Sequence, residues 1–69
     1  MEVLRELRKK RVYSLSQLAT LTKLSKSTIC DIENQKRIPR LDTIYYLAKA
    51  LDVSPTYLFE MLLNDMRLD

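Results

Sequence analysis

Two helix-start signals stand eleven residues apart, at Ser14 and Ser25, in the stretch SLSQLATLTKLSKSTICDIEN. Ser14 followed three residues later by Gln17 is a capping-box pattern, in which hydroxyl and side-chain amide each satisfy a free N–H of the first turn. Ser25 offers a second N-cap of the same kind ahead of Lys26, Ser27 and Thr28. Apolar positions recur at helical spacing after each cap: Leu15, Leu18, Ala19 and Thr22 in the first half, Ile29 and Ile32 in the second. Thr22, Lys23 and Leu24 remain as connector. That is too short for antiparallel neighbours and suits the steep crossing of a helix-turn-helix, predicted over about 14–34.

The flanking chain is also helical in pattern. Glu2 to about Arg11 carries Leu4, Leu7 and Val3 on one side and Arg5, Lys9, Lys10 and Arg11 on the other, with the cations gathered where the helix dipole favours them. Arg8 borders the apolar stripe, where a charge needs a partner, and Tyr13 is placed to pack ahead of the Ser14 cap. After Asn34 comes a polar, basic loop, Gln35 to Arg40, in which Pro39 disfavours helix for Ile38. Leu41, Ile44, Leu47, Ala48 and Leu51 form the core stripe of a fourth helix. Ser54-Pro55 starts a fifth, with Tyr57, Leu58, Met61 and Leu62 at helical spacing and an end near Met66. The expected fold is all-α, a compact bundle of five short helices in a single domain spanning 1–69.

Charge and composition narrow the function. Residues 1–40 hold ten Lys/Arg against four Asp/Glu, a balance of +6, whereas residues 41–69 hold two against five, a balance of −3. A polyanion is drawn to the first part, and the acidic remainder suits packing or a protein partner. A chain of 69 residues buries only about 60% of its unfolded surface, so modest stability is expected. It has no membrane-length apolar run and no signal-peptide core, and its one cysteine, Cys30, fits a reducing compartment; a cytoplasmic protein is expected. With no histidine, no Cys/His or carboxylate cluster at metal spacing and no glycine-rich loop, an enzyme, a metal, a cofactor and a small-molecule substrate are not expected.

The residues resemble a known family. L-R-E-L-R in helix one, S-x-x-x-L-A opening helix two and S-K-S-T-I-x-x-I-E-N through helix three are similar to the Xre/Cro-repressor type of helix-turn-helix. So are K-R-x-P in the loop and L-x-T-I-x-x-L-A-x-A-L-x-V-S beyond it. The resemblance covers roughly residues 4–63. It implies a lambda-repressor-like domain that binds operator DNA as a dimer and regulates transcription. Carried onto this chain, it assigns base reading in the major groove to Ser25, Lys26, Ser27, Thr28 and Asp31. Lys26 suits guanine O6 and N7, Thr28 offers a methyl to thymine, and Asp31, an acceptor only, suits cytosine N4. Asp31 is equally readable as a surface residue screened by Lys26 or Lys36. Phosphate contacts fall to Ser14 at its helix N-terminus and to Asn34, Lys36, Arg37 and Arg40. The resemblance also implies an Arg8–Glu33 pair joining helix one to the end of the reading helix.

The departures from that pattern centre on glycine, of which the chain has none. Val12, Lys23, Gln35 and Asp52 stand where relatives often have it. A β-branched residue is costly at positive φ, so helix one is expected to end by another route at Val12, while Lys23 tolerates the left-handed conformation better. Leu15 replaces a familiar glutamine that touches DNA, which leaves sugar or a thymine methyl as its contact. Cys30 reads as a small filler, not a reactive thiol. The C-terminal helix, about 54–66, carries Leu58, Phe59, Met61, Leu62, Leu63 and Met66, more apolar residues than one small core needs, and is the expected homodimer surface. Two readings therefore stand: a sequence-specific DNA-binding regulator, or an antitoxin or protein-interaction module on the same fold.

Overall fold

The computed structural model of the chain describes residues 1–65. It contains α1 (Glu2–Lys10), α2 (Leu15–Thr22), α3 (Lys26–Glu33), α4 (Leu41–Leu51) and α5 (Pro55–Asp65). Both serine signals act as read. Ser14 Oγ accepts from the Gln17 N–H at 3.0 Å while Gln17 Oε1 accepts from the Ser14 N–H at 2.7 Å, and Ser25 Oγ accepts from the Thr28 N–H at 3.0 Å. Ser54 starts α5, its hydroxyl taking the Thr56 N–H at 3.2 Å. The connector between α2 and α3 is Lys23 to Ser25, one residue later than the spacing suggested.

One apolar cluster unites the helices. Leu4, Leu18, Ile29, Ile32, Ile44, Leu47, Ala48, Leu51, Leu58 and Leu62 are buried, with Leu7, Tyr13, Leu15 and Met61 partly buried against them. α2 packs on α3 and α4, α4 on α5, and α1 on α3, so α3 is gripped from two sides. Two assignments change. Leu41 lies in the first turn of α4, ahead of the part that meets the core, and is 72% exposed. Tyr57 precedes the buried Leu58 on the outward side of α5 and is also exposed. Met1 joins the core as well: its amino group donates to the carbonyls of Ile32 at 2.8 Å and Glu33 at 3.2 Å, closing the end of α3. The expected continuation of α5 to Met66 lies outside the described residues.

The helix ends overturn the expectation for Val12. Val12, Lys23, Gln35 and Asp52 all take positive φ, at 60, 62, 61 and 56°. At the end of α1 the Val12 N–H reaches Lys9 O at 2.9 Å and the Tyr13 N–H reaches Arg8 O at 3.1 Å. That is the paired bonding of a Schellman motif, which needs a left-handed residue at this position whatever its side chain. The same pair closes α3 through Gln35 and Lys36, and α4 through Asp52 and Val53. α2 ends differently. The Thr22 hydroxyl, 3% exposed as a residue, donates to Leu18 O at 2.7 Å and accepts from the Leu24 N–H at 3.3 Å. Thr22 is thus a buried polar hinge to the turn, where its position in the stripe suggested an apolar role.

Candidate nucleic-acid interface

α3 is anchored through its buried residues. Ile29, Ile32 and Glu33 are buried, and the Glu33 carboxylate meets Arg8 in a two-point pair, Nε to Oε2 at 2.6 Å and Nη2 to Oε1 at 3.1 Å. Arg8 donates its remaining arm to Tyr13 O at 2.9 Å, and Arg5 Nε stands 3.5 Å from Glu33 Oε1. The hydrogen bond to Glu33 holds the Arg8 guanidinium pKa above its ordinary value, against a smaller opposing effect of burial. A planar donor fork facing a carboxylate fixes orientation as well as distance. One residue of α1 therefore sets both the turn before α2 and the seat of α3.

The first turn of α3 is more open. Ser25, Lys26 and Ser27 are exposed and Thr28 and Asp31 half-buried. Ser25 and Thr28 are not free side chains, because their hydroxyls lie 2.7 Å apart within the cap. Lys26, Ser27 and Asp31 have no side-chain hydrogen bond or ion pair among the described residues. An unpaired lysine and an unpaired carboxylate on one short helix supply a donor and an acceptor, the two chemistries that distinguish guanine from cytosine edges.

The loop beyond α3 brings several of the expected phosphate ligands alongside. Thr28 on α3 lines a shallow groove with Ile38, Arg37 and Arg40, and Thr43 of α4 completes it. In the sequence Thr43 stands only as a member of the motif opening helix four. Its place in the first turn of a helix that follows a basic loop was the available signal. Lys36 and Arg37 have no ion pair among the described residues, and Arg40 Nε lies 3.5 Å from Asp42 Oδ1 with both side chains exposed. Because Glu33 is neutralised by Arg8 and Arg5, it does not cancel the loop charge.

Two expected ligands are already engaged. Asn34 Oδ1 accepts from Arg5 Nη2, and its Nδ2 donates to Cys30 Sγ at 3.4 Å, so Asn34 and Cys30 brace the end of α3. At Ser14 the capping box occupies the N–H groups of Ser14 and Gln17, leaving those of Leu15 and Ser16 for an anion. Leu15 itself is partly buried against the core. Among the described residues no group of three or more His, Cys, Asp or Glu is placed to hold a metal ion, and no helix is long and apolar enough to cross a membrane.

Comparison with known proteins agrees with this geometry. A helix-turn-helix family model matches residues 4–58. A solved structure, the restriction-modification controller protein C.AhdI from Aeromonas hydrophila, is 40% identical, covers 84% of this chain and 88% of its own, and superposes with a TM-score of 0.80. No curated protein matches. A family match over most of the chain, on a structure whose α2 and α3 are joined by a short turn, leads to one assignment: the chain belongs to the Xre/Cro-type helix-turn-helix family of DNA-binding transcriptional regulators.

Proposed function

We propose that this regulator acts as a cytoplasmic, non-enzymatic homodimer on a two-fold operator, with residues 1–69 as one unit and the N-terminal end of α3 in the major groove. The observation that carries this reading is the division of α3: Glu33 is locked to Arg8 at 2.6 Å at its C-terminal end, while Lys26 in its first turn and Asp31 have no ion pair among the described residues. Lys26 and Asp31 read bases, with Ser27 assisting. Ser25 and Thr28 keep the cap and offer the Thr28 methyl. Lys36, Arg37 and Arg40 hold phosphate, joined by Thr43 and by the N-terminal amides of α2 beside Ser14. Asn34 reaches phosphate only through Nδ2, using the N–H that its weak bond to Cys30 leaves free.

The dimer forms through α5, where Phe59 and Leu63 are exposed beside the buried Leu58 and Leu62; Met66 lies outside the described residues. The relative named as a restriction-modification controller supports a controller role of that class for this chain. Selection of bound sequences from a random DNA pool tests the reading. A palindromic site with half-sites one helical turn apart, bound with steep salt dependence, is expected. Recovery of no consensus would overturn sequence-specific binding, and would favour the antitoxin or protein-interaction reading.

A further inference from the structure

A second open surface lies away from the α3–α4 loop. The end of α2 and the outer face of α4 enclose a groove lined by Leu21, Leu24, Tyr46 and Ala50, with Lys23 and Lys49 at its rim and no carboxylate among its lining residues. Leu21 is 54% and Tyr46 47% exposed, so the apolar floor faces solvent. Its walls are held in place. Tyr46 meets Tyr45 edge-on, with ring centroids 5.7 Å apart, and Lys49 Nζ sits 5.8 Å from the Tyr45 ring centre. Lys23 is set by its left-handed backbone and by the adjoining bond from the Leu24 N–H to Thr22. Neither lysine has an ion pair among the described residues.

We propose that this groove docks an acidic amphipathic helix of a partner protein. An apolar stripe at i, i+3, i+4 and i+7 fits a floor of leucine, alanine and tyrosine, and flanking carboxylates meet the two rim lysines. Charge complementarity selects this occupant. A nucleic acid has no use for the apolar floor. The acidic, apolar face of this chain itself, around Phe59, Glu60 and Leu63 on α5, is the surface assigned above to self-association. Docking next to Ser25, which Leu24 immediately precedes, brings the partner to the reading end of α3 and lets it bear on DNA binding.

Titration of the 15N-labelled full chain tests this, using a synthetic helical peptide with leucine at those four positions and glutamate on its flanks. A peptide with lysine in place of glutamate serves as control. Saturable amide shifts clustered at 21–24 and 46–50 are expected with the acidic peptide alone. The variant Lys23→Asp/Lys49→Glu, in two exposed residues, keeps its melting temperature, loses about tenfold in affinity for the acidic peptide and gains preference for the basic one. No saturable shift, shifts elsewhere, or equal response to both peptides would overturn the proposal. So would concentration-dependent broadening at Leu21 and Tyr46 in the peptide-free protein, which assigns the groove to a second copy. Displacement of the peptide by duplex DNA that shifts the same residues would assign it to nucleic acid.

Discussion

At the scale of single residues, Arg8 and Val12 carry opposite entries in the stability of the same turn. Arg8 is 12% exposed at its side chain and Glu33 3%, so removing the arginine leaves a carboxylate out of water with only Arg5 at 3.5 Å for company. Arg8→Ala is expected to destabilise by about 3 kcal/mol and to lower the melting temperature by roughly 10–20 °C. An unchanged thermal transition would sink the pairing. Lysine at this position, a point charge without the fork, should recover only part of the loss. The sign of the linkage is fixed: a guanidinium whose pKa is raised on folding contributes its full stability below the ordinary value, and loses it only as pH climbs through the raised one. The Arg8 contribution is therefore flat across the neutral range. Val12 is the reverse case, 84% exposed and at φ 60°. Its side chain gains no burial, while the left-handed backbone costs on the order of 1–2 kcal/mol. Val12→Gly relieves this and makes the unfolded chain more flexible, which offsets part of the gain. A net stabilisation of about 1 kcal/mol is expected, read as a rise in the urea midpoint at constant slope.

At the scale of elements, the caps were legible and the exit of α1 at Val12 was not. Ser14, Ser25 and Ser54 announce helix starts because a side-chain oxygen on the right residue satisfies a local N–H, and that chemistry is written in the sequence. Exits depend on which way the next element must leave. The chain turns through a left-handed residue at Val12 because Tyr13 and α2 must come back onto α3, a tertiary demand that overrides the local preference of valine. Leu41 and Thr22 failed for related reasons: spacing marks a stripe but says neither where along it the core stops nor which member is a satisfied hydroxyl. The candidate site divides along the same line. The residue types of α3 and its loop were readable, but the engagement of Asn34 with Arg5 and the approach of Thr43 to Thr28 arise from contacts distant in sequence. This division predicts two classes of DNA-binding defect. Lys26→Ala should cost about 1–3 kcal/mol on the selected site and relax preference at one base pair, whereas Lys36→Ala should weaken all sequences alike and reduce the salt slope by about 1. Gel shifts on matched and mutated sites at two salt concentrations separate them. Identical behaviour of the two variants would dissolve the distinction between reading helix and gripping loop.

At the scale of the molecule, the proposed reading gives each chain one helix for the major groove, and the eight residues of α3 reach about three or four base pairs. Against the roughly million or more competing sites of a genome, so short a half-site cannot define an operator. The proposed dimer supplies the missing specificity by setting two copies of α3 in successive major grooves about 34 Å apart. The charge distribution suits the proposed pair, since the +6 of residues 1–40 attracts a polyanion and the −3 balance of residues 41–69 does not. With Leu58 and Leu62 committed to the core, Phe59 and Leu63 are the apolar side chains that α5 can offer a second copy. Leu63→Glu introduces a charge on each side of that contact and should convert the protein to monomer by sedimentation. Leu63 is 48% exposed, so the monomer should keep its helical spectrum. Operator binding should then fall by about 100-fold or more, with roughly half the salt slope, because each protein molecule neutralises only its own phosphates. A Leu63→Glu protein that still sediments as a dimer moves the interface off this face of α5, and the aromatic face of α4 becomes the surface to test next.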